Sequence, residues 1–274
     1  MSNRIWFITG ASRGFGRSFA QAALAAGDRV AATARDTAML DDLVAEHGDD
    51  VLPIELDVTD HDAAFAAVGQ AHEHFGRLDV VVNNAGYGLF GAVEELSEAQ
   101  ARDQIETNLF GALWVTQAAL PILREQGSGH IIQVSSIGGI SAFLNVGAYH
   151  ASKWGLEGFS QALAQEVKPF GINVTLVEPG GYDTDWAGPS SKTSAQNPAY
   201  DKVREMAAEQ RAKRVATPGV PSATREAILR IVDAEIPPLR VFLGEQPLAI
   251  ATADYESRLA TWREWQPVSA AAQG

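Results

Sequence analysis

The sequence predicts an α/β protein: a doubly wound parallel sheet of about seven strands with helices on both faces. Three observations predict it. Short runs rich in β-branched residues recur along the chain, stretches with helical apolar spacing lie between most of them, and turn residues punctuate the joins. Alternating strands and helices imply βαβ units. A sheet covered on both faces has strands that are apolar throughout, as Val80-Val81-Val82 is.

The first strand is read at Ile5–Thr9, followed by a glycine-rich turn and a helix over Arg17–Ala26. Further strands are read at Arg29–Ala34, Val51–Glu55, Val80–Asn83, Ile131–Ser135, Val174–Glu178 and Val241–Leu243. Ala63–Phe75 and Leu156–Val167 carry helical spacing. Ser97-Glu98-Ala99-Gln100 has the spacing of a capping box, in which side chain and backbone satisfy each other's free N–H groups at a helix start. Gly171, after Lys168-Pro169-Phe170, suits the left-handed position that ends a helix. Gly181–Pro198, rich in Gly, Ser, Thr and Pro, reads as a long loop, and a long loop in a compact domain is usually functional; a substrate lid over about residues 181–215 is expected. No linker or repeat interrupts the chain, so residues 1–274 are read as a single domain with a C-terminal extension over about 245–274. That extension, with Tyr255, Trp262 and Trp265, is left with three roles: capping a pocket, packing on a neighbouring subunit, or covering a core edge.

Composition bounds the function. With 46% hydrophobic residues the chain can bury a sizeable core. A formal net charge of −13 argues against a nucleic-acid partner, because phosphate-backbone binding needs clustered positive charge. There is no cysteine, which removes disulfides, thiolate catalysis and cysteine-ligated metal together. No apolar stretch approaches the roughly 20 residues of a membrane span, and the N-terminus runs into a strand without a signal-peptide core, so a cytoplasmic protein is expected. No metal site is expected either: His72 and His74 are spaced i, i+2 and point to different helix faces. Gly158-Phe159-Ser160-Gln161-Ala162 loosely matches a hydrolase nucleophile elbow but lies within a helical pattern.

Thr9-Gly10-Ala11-Ser12-Arg13-Gly14-Phe15-Gly16 sits between the first strand and the first helix. Glycines there let the backbone approach a pyrophosphate, whose charge the helix dipole and free N–H groups stabilise. The candidate contacts are Gly10, Ser12, Arg13, Gly14, Phe15 and Gly16, in a Rossmann-type arrangement spaced GxxxGxG. In such folds an acid ending the second strand selects NAD, whereas an arginine accommodates the 2′-phosphate of NADP. The second strand here ends Thr33-Ala34-Arg35-Asp36. Arg35, with Arg13 opposite, favours NADP(H) over NAD(H); the alternative has Asp36 in the acid's place and selects NAD(H).

Tyr149 and Lys153 are spaced i, i+4 and share a helix face. A free tyrosine has a pKa of about 10, and a neighbouring ammonium lowers it toward the range of a general acid–base catalyst. Ser136 follows an apolar strand, where its hydroxyl can meet the same site. His150, adjacent to Tyr149, is read as structural or exposed, since neighbouring helix residues do not share a face.

From Ile5 to about Gly244 the chain resembles the short-chain dehydrogenase/reductase family in its compact one-domain branch. The resemblance rests on TGASRGFG at 9–16, the acid in LDVTD, NNAG at 83–86, TNLFG containing Asn108, VSS ending at Ser136, YHASK at 149–153 and PGGYDT at 179–184, all in order. It implies that Tyr149 donates and accepts the proton, Ser136 bonds the reacting oxygen, Lys153 binds the nicotinamide ribose and depresses the tyrosine pKa, and Asn108 holds a water in a proton relay. It further implies Asp57 at the adenine with Val58 beside it, and a cofactor-site floor of Asn83, Asn84, Ala85 and Gly86. Pro179, Gly180 and Thr184 would lie at the nicotinamide. Hydride passes between nicotinamide and substrate, while the protein aligns the two and handles the proton.

The substrate positions are mostly apolar. Leu89, Phe90, Ile140, Phe143, Leu144 and Val146 precede the tyrosine and Tyr182 and Trp186 follow it; with Ser136 and Tyr149, the residues Phe143, Tyr182 and Trp186 are the candidate contacts. No arginine or lysine is read among them, which points to a ketone, aldehyde or secondary alcohol of moderate size and apolar character. The alternatives are a non-redox isomerase or dehydratase of the same family, and a cofactor-binding sensor without turnover. A homodimer or homotetramer is expected, through the apolar faces of the helices that follow TNLFG and YHASK.

Overall fold

The computed structural model describes residues 3–188, 190–215 and 217–274; Met1 and Ser2 at the start of the chain and Pro189 of the 181–198 loop lie outside them. The strands are β1 (Ile5–Ile8), β2 (Arg29–Ala34), β3 (Val51–Glu55), β4 (Val80–Asn83), β5 (Leu89–Phe90), β6 (Gly129–Val134), β7 (Ile172–Pro179), β8 (Lys192–Thr193) and β9 (Arg240–Leu243). The helices are α1 (Gly14–Ala25), α2 (Asp41–His47), α3 (His61–Phe75), α4 (Glu98–Ile105), α5 (Gly111–Gln126), α6 (Gly147–Val167), α7 (Asp201–Arg214), α8 (Arg225–Val232) and α9 (Gln246–Ala271).

Seven of these strands form a parallel sheet in the order β3-β2-β1-β4-β6-β7-β9, as expected. Side chains alternate across it. Ile5 and Phe7 enter one core with Val68 and Phe75 of α3 and Val115 and Leu123 of α5. Trp6 and Ile8 enter the other with Phe19 of α1, Leu43 of α2 and Ile228 of α8. Two apolar layers on one sheet explain why its strands show no polar alternation. Full burial of a side chain such as Phe7 contributes roughly 2–3 kcal/mol.

The punctuation holds. Ser97 Oγ accepts from Gln100 N at 3.2 Å and Gln100 Oε1 accepts from Ser97 N at 3.1 Å, starting α4. Gly171 has φ +71° and turns the chain from α6 into β7. Two differences stand out. The 181–198 stretch is not all loop: β8 pairs with β5, and α7 follows it. The C-terminal extension is one long helix. Its first turns bury Pro247 against Gly180 after β7 and Ala251 against Ile137 and Ile140 after β6, while residues 259–274 are exposed throughout. Among the described residues no helix is long and apolar enough to cross a membrane.

Candidate active site

The strand order reverses between β1 and β4, and at the carboxyl ends of those strands a cleft of about 900 Å³ opens. This is the crevice in which open α/β sheets bind ligands. Its wall at β1 is the glycine turn. Gly10 and Gly14 have φ of +64° and +58°, a left-handed backbone that glycine adopts without strain. Gly16 does not line the cleft but lies beneath it, where an added Cβ would collide with the Gly10 carbonyl and come within 2.5 Å of Asn84 Nδ2. Helix α1 begins with no side-chain cap and no acid in its first turn, so its N–H groups are left for an anion. These features fit a pyrophosphate.

Most predicted cofactor residues line this cleft: Gly10, Ser12, Arg13, Gly14, Phe15, Arg35, Asp57, Val58, Asn84, Ala85, Gly86, Tyr149, Lys153, Pro179, Gly180 and Thr184. Several hold the wall as well as form it. Asn84 Nδ2 donates to Thr9 O at 2.9 Å and Gly10 O at 3.0 Å, tying the end of β4 to the glycine turn. Asp57 accepts from the Thr59 hydroxyl and N–H. Arg13 pairs with Asp185 at 3.0 Å, whereas Arg35 has no ion pair among the described residues. Asp36 turns aside to accept from Ala38 N and does not line the cleft. Asn83 is likewise not part of the floor; it is buried, with Nδ2 donating to Thr116 Oγ1 and Ala112 O.

Ser136, Tyr149 and Lys153 meet where the cleft narrows. Ser136 Oγ accepts from Gly138 N at 2.9 Å, which orients it. Tyr149 is 6% exposed, and burial pushes its hydroxyl up to about 12 against the opposing hydrogen bond of Ser136. Burial pushes Lys153 down to about 8, opposed by the charge of Glu157. Lys153 Nζ donates to Val134 O at 2.7 Å and stands 6.0 Å from the centre of the Tyr149 ring. Contrary to the expected lowering by the ammonium, loss of water around the phenol raises the tyrosine pKa, and the opposing influence is the Ser136 hydrogen bond.

Asn108 is 1% exposed and lies in a π-helical turn, Glu106–Phe110, between α4 and α5. Such turns insert a residue into a helix and re-aim side chains, often at functional sites. Its Oδ1 accepts from Tyr87 N at 3.1 Å, and its Nδ2 donates to Tyr87 O at 3.0 Å and Ser152 Oγ at 3.1 Å. A Cβ on Gly86 would come within 3.0 Å of that Oδ1 and 3.8 Å of Lys153 Nζ. Asn108 thus braces the loop after β4 beside Lys153.

A second cavity of about 240 Å³ shares Ser136, Tyr149 and Trp186 with the cleft. Trp186 lies 4.8 Å from the Tyr149 ring and 5.4 Å from Phe90, and Phe143 lines the far wall. Tyr182 is placed differently from its expected substrate role. It packs edge-on against Phe15 at 4.9 Å, lines the cleft and is absent from the second cavity. The expectation of a pocket without basic residues is corrected: α7 brings Arg204, Arg211 and Arg214 into its lining. The signal available in the sequence was the i, i+3 spacing of Arg211 and Arg214 on one helical face.

Of the two readings of His150, structural or exposed, the structural one holds. It is buried, its Nδ1 bonded to Gly138 O at 2.7 Å and its Nε2 accepting from Phe143 N at 2.7 Å. The neutral ring, favoured by a pKa lowered chiefly by burial, pins the 138–143 loop over the cavity. Below Lys153, Glu157 and Glu178 share Arg240 at 3.0 and 3.4 Å. Burial, then the charge of Glu157, pushes Glu178 up to about 8.

Residues 4–195 match the family described as short chain dehydrogenase. Oxidoreductase BOA17 of Botryotinia fuckeliana is 43% identical over 270 residues, 98% of each chain. A solved short-chain dehydrogenase from Streptomyces avermitilis is 43% identical with a TM-score of 0.91, covering 99% of this chain and 98% of that one. A metagenomic short-chain oxidoreductase solved in complex with NADP is 27% identical with a TM-score of 0.71, covering 89% and 97%.

Proposed function

This chain belongs to the short-chain dehydrogenase/reductase family and is an oxidoreductase that uses a nicotinamide cofactor; from that premise we propose that it takes NADP(H) and a ketone, aldehyde or secondary alcohol, with Tyr149 as the proton-transferring group. One observation carries the reading: Tyr149 and Ser136 form the shared wall of the cofactor cleft and the second cavity. A substrate oxygen in the second cavity meets both hydroxyls while its carbon faces the cleft.

The nicotinamide supplies or accepts the hydride. The chain's residues do the rest. Gly10, Gly14 and the uncapped start of α1 hold the pyrophosphate, and Asp57 and Val58 flank the adenine side. Arg35, unpaired on the cleft wall, takes the 2′-phosphate; Asp36, folded back on Ala38, is out of the ribose acid's place. Ser136 orients the carbonyl oxygen. Tyr149, protonated at neutral pH because it is buried, donates to that oxygen, which favours reduction. Lys153 holds the ribose, and Asn108 keeps the loop after β4 in register beneath it. Residues 181–215 act as the lid of one domain, and the chain assembles as a homodimer or homotetramer through α5 and α6.

The test is a panel of ketones, aldehydes and alcohols followed by NADPH absorbance, repeated with NADH. Higher kcat/KM with NADPH is expected. No oxidation or reduction across the panel sinks the redox reading, and a clear preference for NADH overturns the cofactor assignment.

A further inference from the structure

We propose that the second cavity takes a substrate bearing a carboxylate, gripped by Arg211 and Arg214 while its carbonyl meets Ser136 and Tyr149; the inference rests on the redox reading above and names its substrate class. Both arginines lie on the cavity side of α7 and are partly buried. Neither has a carboxylate partner among the described residues. Arg4, Arg17, Arg77 and Arg240, by contrast, each hold an acid. Arg204, on the same helix and in the same cavity wall, is neutralised by Glu95 and Asp201. Arg211 and Arg214 are left charged in a protein whose net charge is −13.

The chamber offers them nothing to pair with. Among the described residues no Asp or Glu lines it, and burial favours the neutral ring of His150. The two cations also feel each other: burial lowers the pKa of both, and the charge of Arg211 adds to the lowering at Arg214. Like charges drawn partly out of water are costly, and an anion between them relieves the cost.

Their geometry is prepared for a planar anion. Arg211 lies 5.4 Å from the Phe90 ring centre and 5.8 Å from that of Trp186, and Arg214 stacks 4.1 Å over Phe143. Ring contacts of this kind restrain a guanidinium, and among the described residues neither arginine has an acid partner, so both can bind a carboxylate through paired hydrogen bonds. The Trp186 ring adjoins both Tyr149, at 4.8 Å, and Arg211, at 5.8 Å. The proposed substrate is a keto acid whose two groups are separated by several carbons lying along Phe90, Phe143 and Trp186, all of which line the cavity.

Calorimetric titration of the full chain, with and without NADP+, tests the proposal, using the series from 5-oxohexanoate to 9-oxodecanoate beside the methyl ester of each. At least one acid is expected to bind about tenfold or more tightly than its ester, as a gripped charge requires. Arg211→Gln with Arg214→Gln is expected to abolish the difference, and the paired lysine variants to restore part of it. Esters binding as tightly as acids at every length overturn the proposal, whether or not the variants fold. NADPH oxidation measured on the same compounds separates the two readings. Acids that bind without turnover sink the redox reading and leave this one standing, whereas turnover indifferent to the carboxylate does the reverse.

Discussion

Tyr149 and Lys153 are driven in opposite directions by the same burial. Out of water the phenol resists losing its proton and the ammonium resists keeping its own, giving pKa values of about 12 and about 8. Tyr149→Phe removes the donor alone. Turnover is expected to fall at least about 100-fold, the usual contribution of a positioned acid, with nucleotide affinity unchanged by titration; a variant that keeps full turnover rules out the role. Lys153 sets the pH response. Because kcat/KM follows the free enzyme, the reduction profile is expected to lose activity on a basic limb with its midpoint near 8. A profile flat well beyond that pH contradicts a requirement for the charged amine. Tyr149, Lys153 and Ser136 were legible because their spacing states a helix face and a strand end. His150 was legible only as structural or exposed; α6 makes it structural by burying adjacent positions on more than one face. Arg211 and Arg214 stayed hidden because helical spacing places two residues on one face without saying what that face meets.

The glycine turn and α1 illustrate what an element requires of single atoms. Gly16 touches the Gly10 carbonyl and the Asn84 amide, and that amide is already committed to Thr9 O and Gly10 O. Gly16→Ala is expected to cost roughly 1–3 kcal/mol of overpacking and to weaken nucleotide binding by shifting the turn. Gly158→Ala is the control: it lies exposed within α6 with nothing within 4 Å of the added Cβ. Ordinary helix propensity makes that change stabilising by about 1 kcal/mol. Melting temperatures read both, and equal shifts in the two variants defeat the packing argument. The seven sheet strands were legible because each carries a short apolar or β-branched run, such as Ile5–Ile8 or Val80-Val81-Val82, bounded by turn residues. The β5–β8 pair was not, since two residues per strand carry no periodicity, and neither was the π turn at Asn108, which leaves the apolar helical pattern intact while moving one side chain inward.

The whole molecule couples its stability to pH through a buried histidine, and an exposed aromatic cluster bears on the proposed assembly. His130 on β6 bonds Thr175 Oγ1 on β7 at 2.9 Å, and burial, aided by the charge of Arg4, pushes its pKa down to about 4. The unfolded chain binds a proton at about 6.5, so between about 6.5 and about 4 the unfolded state holds more protons than the folded one. Stability is then full above that window and declines as pH falls through it, by roughly 3 kcal/mol at its foot. His130→Gln is expected to flatten this limb in denaturant melts taken across the window; an unchanged slope refutes the assignment. For the homo-oligomer proposed through α5 and α6, an exposed aromatic cluster lies where α3, the π turn and α5 meet. Phe110 stacks on Trp114 at 5.8 Å, and His61 meets Trp114 at 5.0 Å and Phe65 at 4.6 Å. Phe65 and Phe110 are 40% and 37% exposed. Contiguous exposed apolar patches favour association, and this cluster adjoins the α5 face proposed for assembly. Light scattering of the full chain is expected to give two or four times the chain mass. Phe65→Asp with Phe110→Asp, both at exposed positions where a charge costs the isolated fold little, is expected to shift that mass to the monomer. A wild-type chain that scatters as a monomer removes the oligomer, and a variant that keeps the full mass moves the interface away from this face.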